Sequence, residues 1–290
     1  MRMQAAKPLR VVVTGSNKGI GYGILEYILA QSKQGGPQCS LILTSRDHQN
    51  GVEAINKLKT TYLSADIHQL ALDVSSKDSV NQFVQEIKKI GPVDVLFNNA
   101  GVIFRVPNID KGVIDGTMGV NYHGTKYLTE SLVDRDLIAH NGKIIFLSSI
   151  LGKFADLPTR NPEAYSILSK YQDGSLTVDG LEKIIKQFET DMADESKMHL
   201  WRDSNYCSSK LYLNIYVYLL SRSPKVAQKH IQVYACFPGW CQTDMTVGSE
   251  APLTYLQGAE TPYFLMTLTD KVDDKYQGQL FKDKAVASLD

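Results

Sequence analysis

A tyrosine and a lysine four positions apart, Tyr206 and Lys210, are the first side chains whose types and spacing suggest chemistry. On a helix this spacing puts both side chains on one face. A phenol has an ordinary pKa of about 10, and a nearby ammonium lowers that pKa by stabilising the phenolate, so the pair could exchange a proton near neutral pH. The same spacing is also common on ordinary helix surfaces. The pair therefore indicates acid–base chemistry only where other polar groups meet it.

The segment Thr14–Gly21 reads TGSNKGIG and stands between an apolar run and a helical pattern. Its glycines, Gly15, Gly19 and Gly21, suit a tight turn, a close approach of the backbone to a pyrophosphate, and close packing of helix on strand. The amides at the start of the helix would then face the anion. A glycine triplet alone also fits an ordinary turn, but the strand–turn–helix context favours a dinucleotide site.

The residues after the second apolar run bear on the type of dinucleotide. A site that prefers NAD places an acidic side chain there, which binds the ribose 2′-hydroxyl. This chain has Arg46 followed by Asp47. Arg46, with Lys18 of the glycine segment, could hold a 2′-phosphate through charge-assisted hydrogen bonds. We therefore expect NADP, while Asp47 leaves NAD open and both cations could also be ordinary surface charges.

The elements that must position these groups alternate along the chain. Short runs rich in Val, Ile and Leu are predicted to be buried strands: Leu9–Val13, Leu41–Thr44, His68–Leu72, Val93–Phe97, Lys143–Leu147 and Ile231–Phe237. Between them, Ile20–Gln31 and Ser79–Ile90 have apolar residues on one helical stripe. Such alternation requires right-handed crossovers. It predicts a doubly wound α/β fold, a parallel sheet covered by helices on both faces.

Polar side chains follow two of these predicted strands. Asn98–Gly101 comes after the fourth strand, Ser148 and Ser149 come after the fifth, and Asn121 falls in a later helix. Open α/β sheets bind ligands at the carboxyl ends of their strands. We therefore expect these groups to meet the tyrosine–lysine pair at that edge.

Residues 153–204 interrupt the alternation and are rich in Asp, Glu, Ser and Lys. Within them Thr177 suits a helix N-cap, and apolar residues recur at helical spacing afterwards: Leu181, Ile184, Ile185, Phe188 and Met192. The run from Asp173 fails as a calcium loop, because its sixth position is Val178 and not glycine. We expect an inserted helical subdomain within one domain of residues 1–290, since the insertion has too few apolar residues to fold alone.

Composition narrows the classes of partner. The chain has 31 Lys and Arg against 31 Asp and Glu, so no net charge would attract a nucleic acid or an acidic membrane. Its four cysteines form neither a disulfide framework nor a zinc site, and no metal is expected. No apolar run approaches the ~18–20 residues of a membrane span, and Val11–Val13 near the amino end is too short for a secretory signal. We expect a cytoplasmic protein.

Taken together, the motifs TGSNKGIG, NNAG, LSSI and YCSSK resemble the short-chain dehydrogenase/reductase family. The long insertion before YCSSK, the segment FPGWCQTDM at 237–245 and GAETP at 258–262 are similar to its monomeric carbonyl reductase branch. The resemblance covers nearly the whole chain and implies a Rossmann-type fold. It also implies a monomer, because in that branch the insertion covers the helix face by which other members oligomerise.

The resemblance implies a role for each member of the catalytic set. Tyr206 would be the general acid that protonates the carbonyl oxygen, and Ser149 would stabilise the charge on that oxygen with a hydrogen bond. Lys210 would hold the nicotinamide ribose and lower the pKa of the tyrosine. Asn121 would anchor a water that refills the proton relay through the lysine.

The resemblance also implies a set of residues for NADP(H). Asp73 would bind the adenine amino group, Asn99–Gly101 would flank the adenosine ribose, and Thr243 would contact the carboxamide or the phosphates. Gln242 stands where that branch would be expected to have a basic residue, which weakens a phosphate contact there. The full set expected to bind the cofactor is Gly15, Asn17, Lys18, Gly19, Ile20, Gly21, Arg46, Asp73, Val74, Asn99, Ala100, Gly101, Tyr206, Lys210, Gln242, Thr243 and Asp244.

A mostly apolar set is expected to line the substrate pocket: Phe104, Ser149, Ile150, Leu151, Trp240 and Met245. Such a lining suits a ketone, aldehyde or quinone attached to hydrophobic bulk. Ordinary core packing would explain each apolar member equally well, except Trp240 beside its Pro-Gly turn. Cys207, next to the catalytic tyrosine, is either a redox-sensitive thiol or a buried inert one, and the second is the more common case.

The resulting hypothesis is NADPH-dependent reduction of hydrophobic or aromatic carbonyls to alcohols. One alternative is an NAD(P)-dependent alcohol or steroid dehydrogenase that works in the oxidative direction. Another is a dinucleotide-sensing protein without turnover. The complete set of Asn121, Ser149, Tyr206 and Lys210 argues against the second alternative, since binding alone requires none of them together.

Overall fold

The structure is a computed structural model that describes residues 7–106, 109–202, 204–269 and 275–289. Its strands are β1 (Leu9–Val13), β2 (Cys39–Ser45), β3 (Ile67–Ala71), β4 (Val93–Asn98), β5 (Ile138–Leu147), β6 (Gln232–Phe237), β7 (Leu280–Lys282) and β8 (Ala285–Ala287). Its α-helices are α1 (Gly19–Lys33), α2 (His48–Thr61), α3 (Lys77–Ile90), α4 (Lys111–Met118), α5 (Thr125–Asp134), α6 (Leu157–Arg160), α7 (Pro162–Leu168), α8 (Val178–Asp191), α9 (Asn205–Ser221), α10 (Pro224–Gln228) and α11 (Glu260–Thr267).

The strands form one sheet in the order β3-β2-β1-β4-β5-β6-β7-β8. Neighbours from β3 to β7 pair in parallel, and β8 alone of the described strands is antiparallel to its neighbour. The strand order reverses between β1 and β4, which creates a crevice at the carboxyl ends of these strands. The predicted doubly wound α/β fold is therefore confirmed, with the short β7–β8 pair as an addition that the sequence did not reveal.

Alternate residues of the central strands enter opposite sides of the sheet. Val12 and Phe146 belong to one apolar cluster, whereas Val13 and Ile145 belong to another, and all four side chains are buried. This two-sided burial explains why the strands read as continuous apolar runs rather than as alternating ones. Helices cover both faces, as right-handed crossovers require.

The insertion contains the amphipathic helix that its spacing predicts. Thr177 caps α8, with its hydroxyl accepting a hydrogen bond from the amide of Gly180. The buried face of α8, which includes Leu181 and Phe188, belongs to the same apolar cluster as Phe146 of the sheet. We infer from this shared cluster that the insertion is part of one domain with the sheet.

Polar contacts hold α8 against the segment between α4 and α5. The hydroxyl of Tyr122 donates to Glu182 at 2.8 Å, and Nε2 of His123 lies 2.6 Å from the carboxylate of Glu189. Both aromatic residues belong to a π-helical turn, Gly119–Gly124. The insertion therefore covers the outer face of this turn.

Candidate active site

The loop between β1 and α1 has the geometry that an anion site needs. Gly15 and Gly19 both have φ of +59°, a conformation that favours glycine. A Cβ on Gly15 would lie 3.1 Å from the Cα of Ala100, so the two loops approach closely. No side chain caps the start of α1, where Lys18 is the N-cap residue, and the first amides of the helix are left for a ligand. These features fit the pyrophosphate of a dinucleotide.

Gly21 lies where neighbouring loops pack too closely to leave room for a side chain. A Cβ there would lie 2.4 Å from Nδ2 of Asn99 and 2.9 Å from the carbonyl oxygen of Gly15. The side-chain amide of Asn99 in turn donates through Nδ2 to the carbonyl oxygens of Thr14 and Gly15, at 2.8 and 3.0 Å. The side chain of Asn99 therefore fastens the loop after β4 to the glycine loop, across the point where the strand order reverses.

A cleft of about 540 Å³ runs along the carboxyl ends of the strands. Most of the residues that the sequence assigned to a cofactor or a substrate line it: Gly15, Asn17, Lys18, Gly19, Ile20, Arg46, Asp73, Val74, Asn99, Ala100, Gly101, Phe104, Tyr206, Lys210, Thr243, Asp244 and Met245. Several lining residues at or after strand ends were not predicted, among them Ser45, Val102 and Ile103. Position after a strand is the only sequence signal that could have found them.

Some expected residues lie outside the lining of this cleft. Gln242 turns its side-chain amide to the carbonyl oxygen of Ala251, at 3.0 Å, so the structure does not bring it to the cofactor cleft. Trp240 is 49% exposed and Leu151 is 52% exposed, and neither lines the cleft. Ile150 is partly buried against the core. These three apolar residues, which were predicted to line the substrate pocket, therefore lie outside the lining of the cleft.

Tyr206, Lys210 and Ser149 converge although the serine is distant in sequence. The hydroxyl of Ser149 lies near enough to Tyr206 to favour the ionised phenol, although Ser149 itself does not line the cleft. The Nζ atom of Lys210 lies 5.8 Å from the centre of the Tyr206 ring and donates to the carbonyl oxygen of Leu147 at 2.9 Å. Ser204 caps α9, which begins at Asn205, so that the tyrosine and the lysine lie one helical turn apart and the lysine reaches the end of β5 at Leu147.

Burial controls the ionisation of this pair. It raises the pKa of Tyr206 to about 12, while the hydroxyl of Ser149 acts in the opposite direction. It also lowers the pKa of Lys210 to about 8. From the spacing of the pair, we expect the ammonium of Lys210 to lower the pKa of the tyrosine. Loss of hydration is the largest influence on the pKa of Tyr206 here, and the lowering expected from the ammonium with a bound nicotinamide stays a prediction.

Asn121 lies behind this pair rather than in the wall of the cleft. Its Oδ1 accepts from the amide of Val102 at 2.8 Å, and its Nδ2 donates to the carbonyl oxygen of Val102 and to Oγ of Ser209. The π-helical turn around it leaves the regular hydrogen-bond ladder of α4 and α5, a feature often found at functional sites. The side chain of Asn121 thus fixes the loop after β4 against α9.

Two cations, Arg46 and Lys18, line the end of the cleft that β2 forms, together with Asp47. Asn50, near the start of α2, lines this end of the cleft as well. The nearby carboxylate of Asp47 accepts from the amide of Asn50 at 2.8 Å and caps α2. This structural use of Asp47 weakens the case for a ribose-binding acid of the NAD type.

Other candidate chemistry finds no support in the described residues. Cys207 is buried, as an inert thiol would be. Within the described ranges, no group of three or more His, Cys, Asp or Glu side chains is placed to hold a metal ion. Across the same ranges, no helix has both the length and the apolar character needed to cross a membrane.

Comparison with known proteins identifies the family. Residues 10–166 match the family described as short chain dehydrogenase. Carbonyl reductase (NADPH) 3 of Mus musculus is 31% identical over 281 residues, which cover 95% of this chain and 96% of that protein. Carbonyl reductase (NADPH) 1 of Homo sapiens is 31% identical over 283 residues, with the same shares covered.

Solved structures show the same fold. Salutaridine reductase from Papaver somniferum superimposes with a TM-score of 0.79 at 24% identity, covering 96% of this chain and 100% of that one. Menthone neomenthol reductase from Mentha piperita gives a TM-score of 0.75 at 24% identity, with coverage of 95% and 99%. With the family match and the relatives above 30% identity, these findings show that the chain belongs to the short-chain dehydrogenase/reductase family.

Proposed function

We propose that this protein reduces hydrophobic or aromatic ketones, aldehydes and quinones to alcohols with NADPH. The observation that carries the proposal is that Tyr206 and Lys210 line the same cleft as a dinucleotide-type glycine loop, with the hydroxyl of Ser149 near the tyrosine. The relatives at about 31% identity are named as NADPH carbonyl reductases, which supports the same cofactor and reaction type.

The residues of the cleft fit NADP(H) from one end to the other. The free amides at the start of α1 would hold the pyrophosphate, and Arg46 with Lys18 would hold the 2′-phosphate. Asp73 and Asn99–Gly101 would lie along the adenosine half, and Thr243 along the nicotinamide half. When bound, the cofactor supplies the hydride, and the protein supplies orientation and the proton.

The ionisation state of Tyr206 supplies the form that reduction of a carbonyl needs. Because the pKa of Tyr206 is about 12, its phenol is protonated at neutral pH and can donate to a carbonyl oxygen. Ser149 provides a second donor for the charge that develops on that oxygen. Lys210, fixed by the carbonyl oxygen of Leu147, would hold the nicotinamide ribose.

The side of the cleft near Tyr206 suits apolar substrates. Val102, Ile103, Phe104 and Met245 line the cleft, and Leu151 and Trp240 are exposed apolar side chains outside its lining. Such surroundings favour carbonyl groups carried on hydrophobic or aromatic frameworks. The insertion covers the face where α4 and α5 meet, which supports a monomer, and the balanced charge and scattered cysteines support a cytoplasmic location.

The decisive experiment follows oxidation of NADPH with a panel of quinones, aldehydes and ketones. We expect turnover by the wild type and a loss of about 10²–10⁴-fold in Tyr206→Phe, as for removal of a general acid. Tyr218→Phe is the matched control, because it removes a phenol from the same helix where the ring stacks on Arg222. Full activity in Tyr206→Phe contradicts the proposed acid.

The same assays separate the alternatives. An oxidative dehydrogenase would turn over alcohols with NAD faster than it reduces carbonyls with NADPH. A dinucleotide-sensing protein would bind NADPH tightly and show no turnover with any member of the panel.

A further inference from the structure

The segment that follows Ser149 is held by hydrogen bonds to its carbonyl groups. Nη1 of Arg202 donates to the carbonyl oxygens of Leu151 and Lys153, at 2.8 and 3.0 Å. Between them, the carbonyl oxygen of Gly152 accepts from Nδ2 of Asn214 at 3.0 Å. Three consecutive carbonyl groups are therefore fixed by two side chains from the region around α9.

This segment also reaches the side chain of the serine directly. The amide of Leu151 donates to Oγ of Ser149 at 3.1 Å, and the amide of Gly152 donates to the serine carbonyl oxygen at 3.0 Å. The peptide groups on both sides of Leu151 thus join Arg202 to the serine hydroxyl. Because Oγ accepts a hydrogen bond from the amide, its own hydrogen is directed elsewhere, which suits donation to Tyr206 or to a carbonyl oxygen.

We propose that Arg202 is a positioning residue for Ser149, acting through the backbone of Leu151. The proposal rests on the function proposed above for the serine. Arg202 belongs to the end of the insertion, so the insertion does more than cover a face of the protein: its last residues set the orientation of a hydroxyl in the active site.

The surroundings of Arg202 hold its guanidinium in place. Its side chain is only 17% exposed, and its Nε lies 3.6 Å from the carboxylate of Asp156. The same carboxylate pairs with Arg160, which donates to the carbonyl oxygen of Trp201 at 3.1 Å. Asp156 thus links the two ends of the insertion, and the planar guanidinium can aim two N–H groups at fixed carbonyl oxygens.

Loss of this guanidinium should affect catalysis more than binding of the cofactor. Arg202 contacts none of the residues that line the NADP(H) end of the cleft, so the KM for NADPH should stay unchanged. Misplacement of a catalytic group by about 1 Å can cost about 10²-fold in rate. For Arg202→Met, where Asn214 still holds the segment, we expect kcat to fall roughly five- to thirty-fold.

Three variants test the proposal: Arg202→Met, Arg202→Lys and Arg222→Met. Arg202→Lys keeps a cation that can donate to both carbonyl oxygens, and it should restore part of kcat. Arg222→Met is the matched control, because Arg222 donates to the carbonyl oxygen of Tyr218 at the carboxyl end of α9. It should leave kcat unchanged.

A second measurement does not depend on activity. Hydrogen exchange of the Leu151 amide, followed by NMR, reports whether Oγ of Ser149 still accepts its hydrogen bond. Ser149→Ala removes the acceptor, so the Leu151 amide should exchange about three- to tenfold faster in that variant, the range for one net hydrogen bond. Arg202→Met should show a similar increase, confined to residues near Leu151.

The outcomes separate this proposal from the proposed function. If the wild type reduces carbonyls but Arg202→Met matches it in kcat and in exchange of the Leu151 amide, the positioning role is overturned and the function stands. If exchange increases throughout the variant, Arg202 only stabilises the fold, and the proposal is again overturned. If the wild type shows no turnover, the proposed function fails, and the exchange of the Leu151 amide alone decides whether Arg202 orders the serine.

Discussion

The ammonium of Lys18 lies 2.6 Å from the carboxylate of Asp244, although 226 positions separate the two residues. Lys18 ends the glycine loop, and Asp244 begins a short turn after β6, so the ion pair spans the cleft. Both side chains are mostly exposed, at 67% and 72%, and water screens such a pair. The pair therefore adds little to stability, but it occupies Lys18, which we propose binds the 2′-phosphate of NADPH.

The first prediction concerns competition between the carboxylate of Asp244 and the 2′-phosphate of NADPH for the ammonium of Lys18. In Asp244→Asn, the lysine loses its carboxylate partner and one negative charge leaves the cleft, so the dissociation constant of NADPH should fall, by up to about fivefold at low salt. Titration of NADPH against the protein measures the change. Asp136→Asn is the control, because that exposed carboxylate pairs with Lys229 at the opposite edge of the sheet. Equal or weaker affinity in Asp244→Asn would show that Lys18 does not contact the phosphate.

The second prediction concerns the choice between NADPH and NADH. In Arg46→Asp, a charge-assisted partner of the 2′-phosphate becomes a repelling carboxylate, so affinity for NADPH should fall about tenfold or more while affinity for NADH does not fall. The preference of the wild type for NADPH should also weaken as salt is added. Arg135→Asp makes the same charge change away from the cleft, where Arg135 donates to the carbonyl oxygen of Ser131. An unchanged preference in Arg46→Asp would remove Arg46 from the cofactor site.

Much of the fold was predictable from local patterns. The apolar runs predicted five strands to within two residues at each end, β5 begins five residues earlier than predicted, and Thr177 marked the start of α8 correctly. The strands β7 and β8 were missed because each has only three residues, and pairing with their neighbours rather than periodicity defines them. The π-helical turn at Asn121 was also missed, since its hydrogen bonds depend on the contacts of Asn121 with Val102 and Ser209.

The site was predictable in its parts but not in its electrostatics. The spacing of Tyr206 and Lys210 placed both on one helix face, yet the pKa of the tyrosine depends on how far the protein excludes water from it. The spacing of residues also could not predict contacts between segments that are distant in the sequence. No pattern in the sequence connects Arg202 to Leu151, or turns Gln242 toward Ala251.

The third prediction contrasts two glycines. In Gly21→Ala, the new methyl group would overlap Nδ2 of Asn99 and the carbonyl oxygen of Gly15, so the free energy of unfolding should fall by roughly 1–3 kcal/mol and NADPH should bind more weakly. Gly119 has φ of −57° and open space around its Cβ position. Gly119→Ala should therefore be neutral or stabilising by up to about 1 kcal/mol. Urea denaturation measures both, and equal stability of the two variants would contradict the packing role of Gly21.

The fourth prediction concerns a lysine outside the cleft, Lys143 of β5. Its ammonium donates to the carbonyl oxygens of Leu265, Met266 and Leu268, at 3.2, 2.7 and 2.6 Å, at the carboxyl end of α11. Burial lowers the pKa of Lys143 from 10.5 to about 8. The carbonyl groups and the negative end of the helix favour the charged form and offset part of that burial.

The sign of the pH effect follows from proton binding. Between about pH 8 and about pH 10.5, the unfolded chain keeps the proton on this lysine more fully than the native protein does, so Lys143 makes stability rise with pH. Lys143→Met removes that contribution, and the free energy of unfolding of the wild type minus that of the variant should increase across this window, by at most about 1.4 kcal/mol per pH unit. Other titrating groups, Lys210 among them, are common to both proteins and cancel in the difference. Urea denaturation across the window measures it, and a difference that stays constant or falls would show that the native lysine keeps its ordinary pKa.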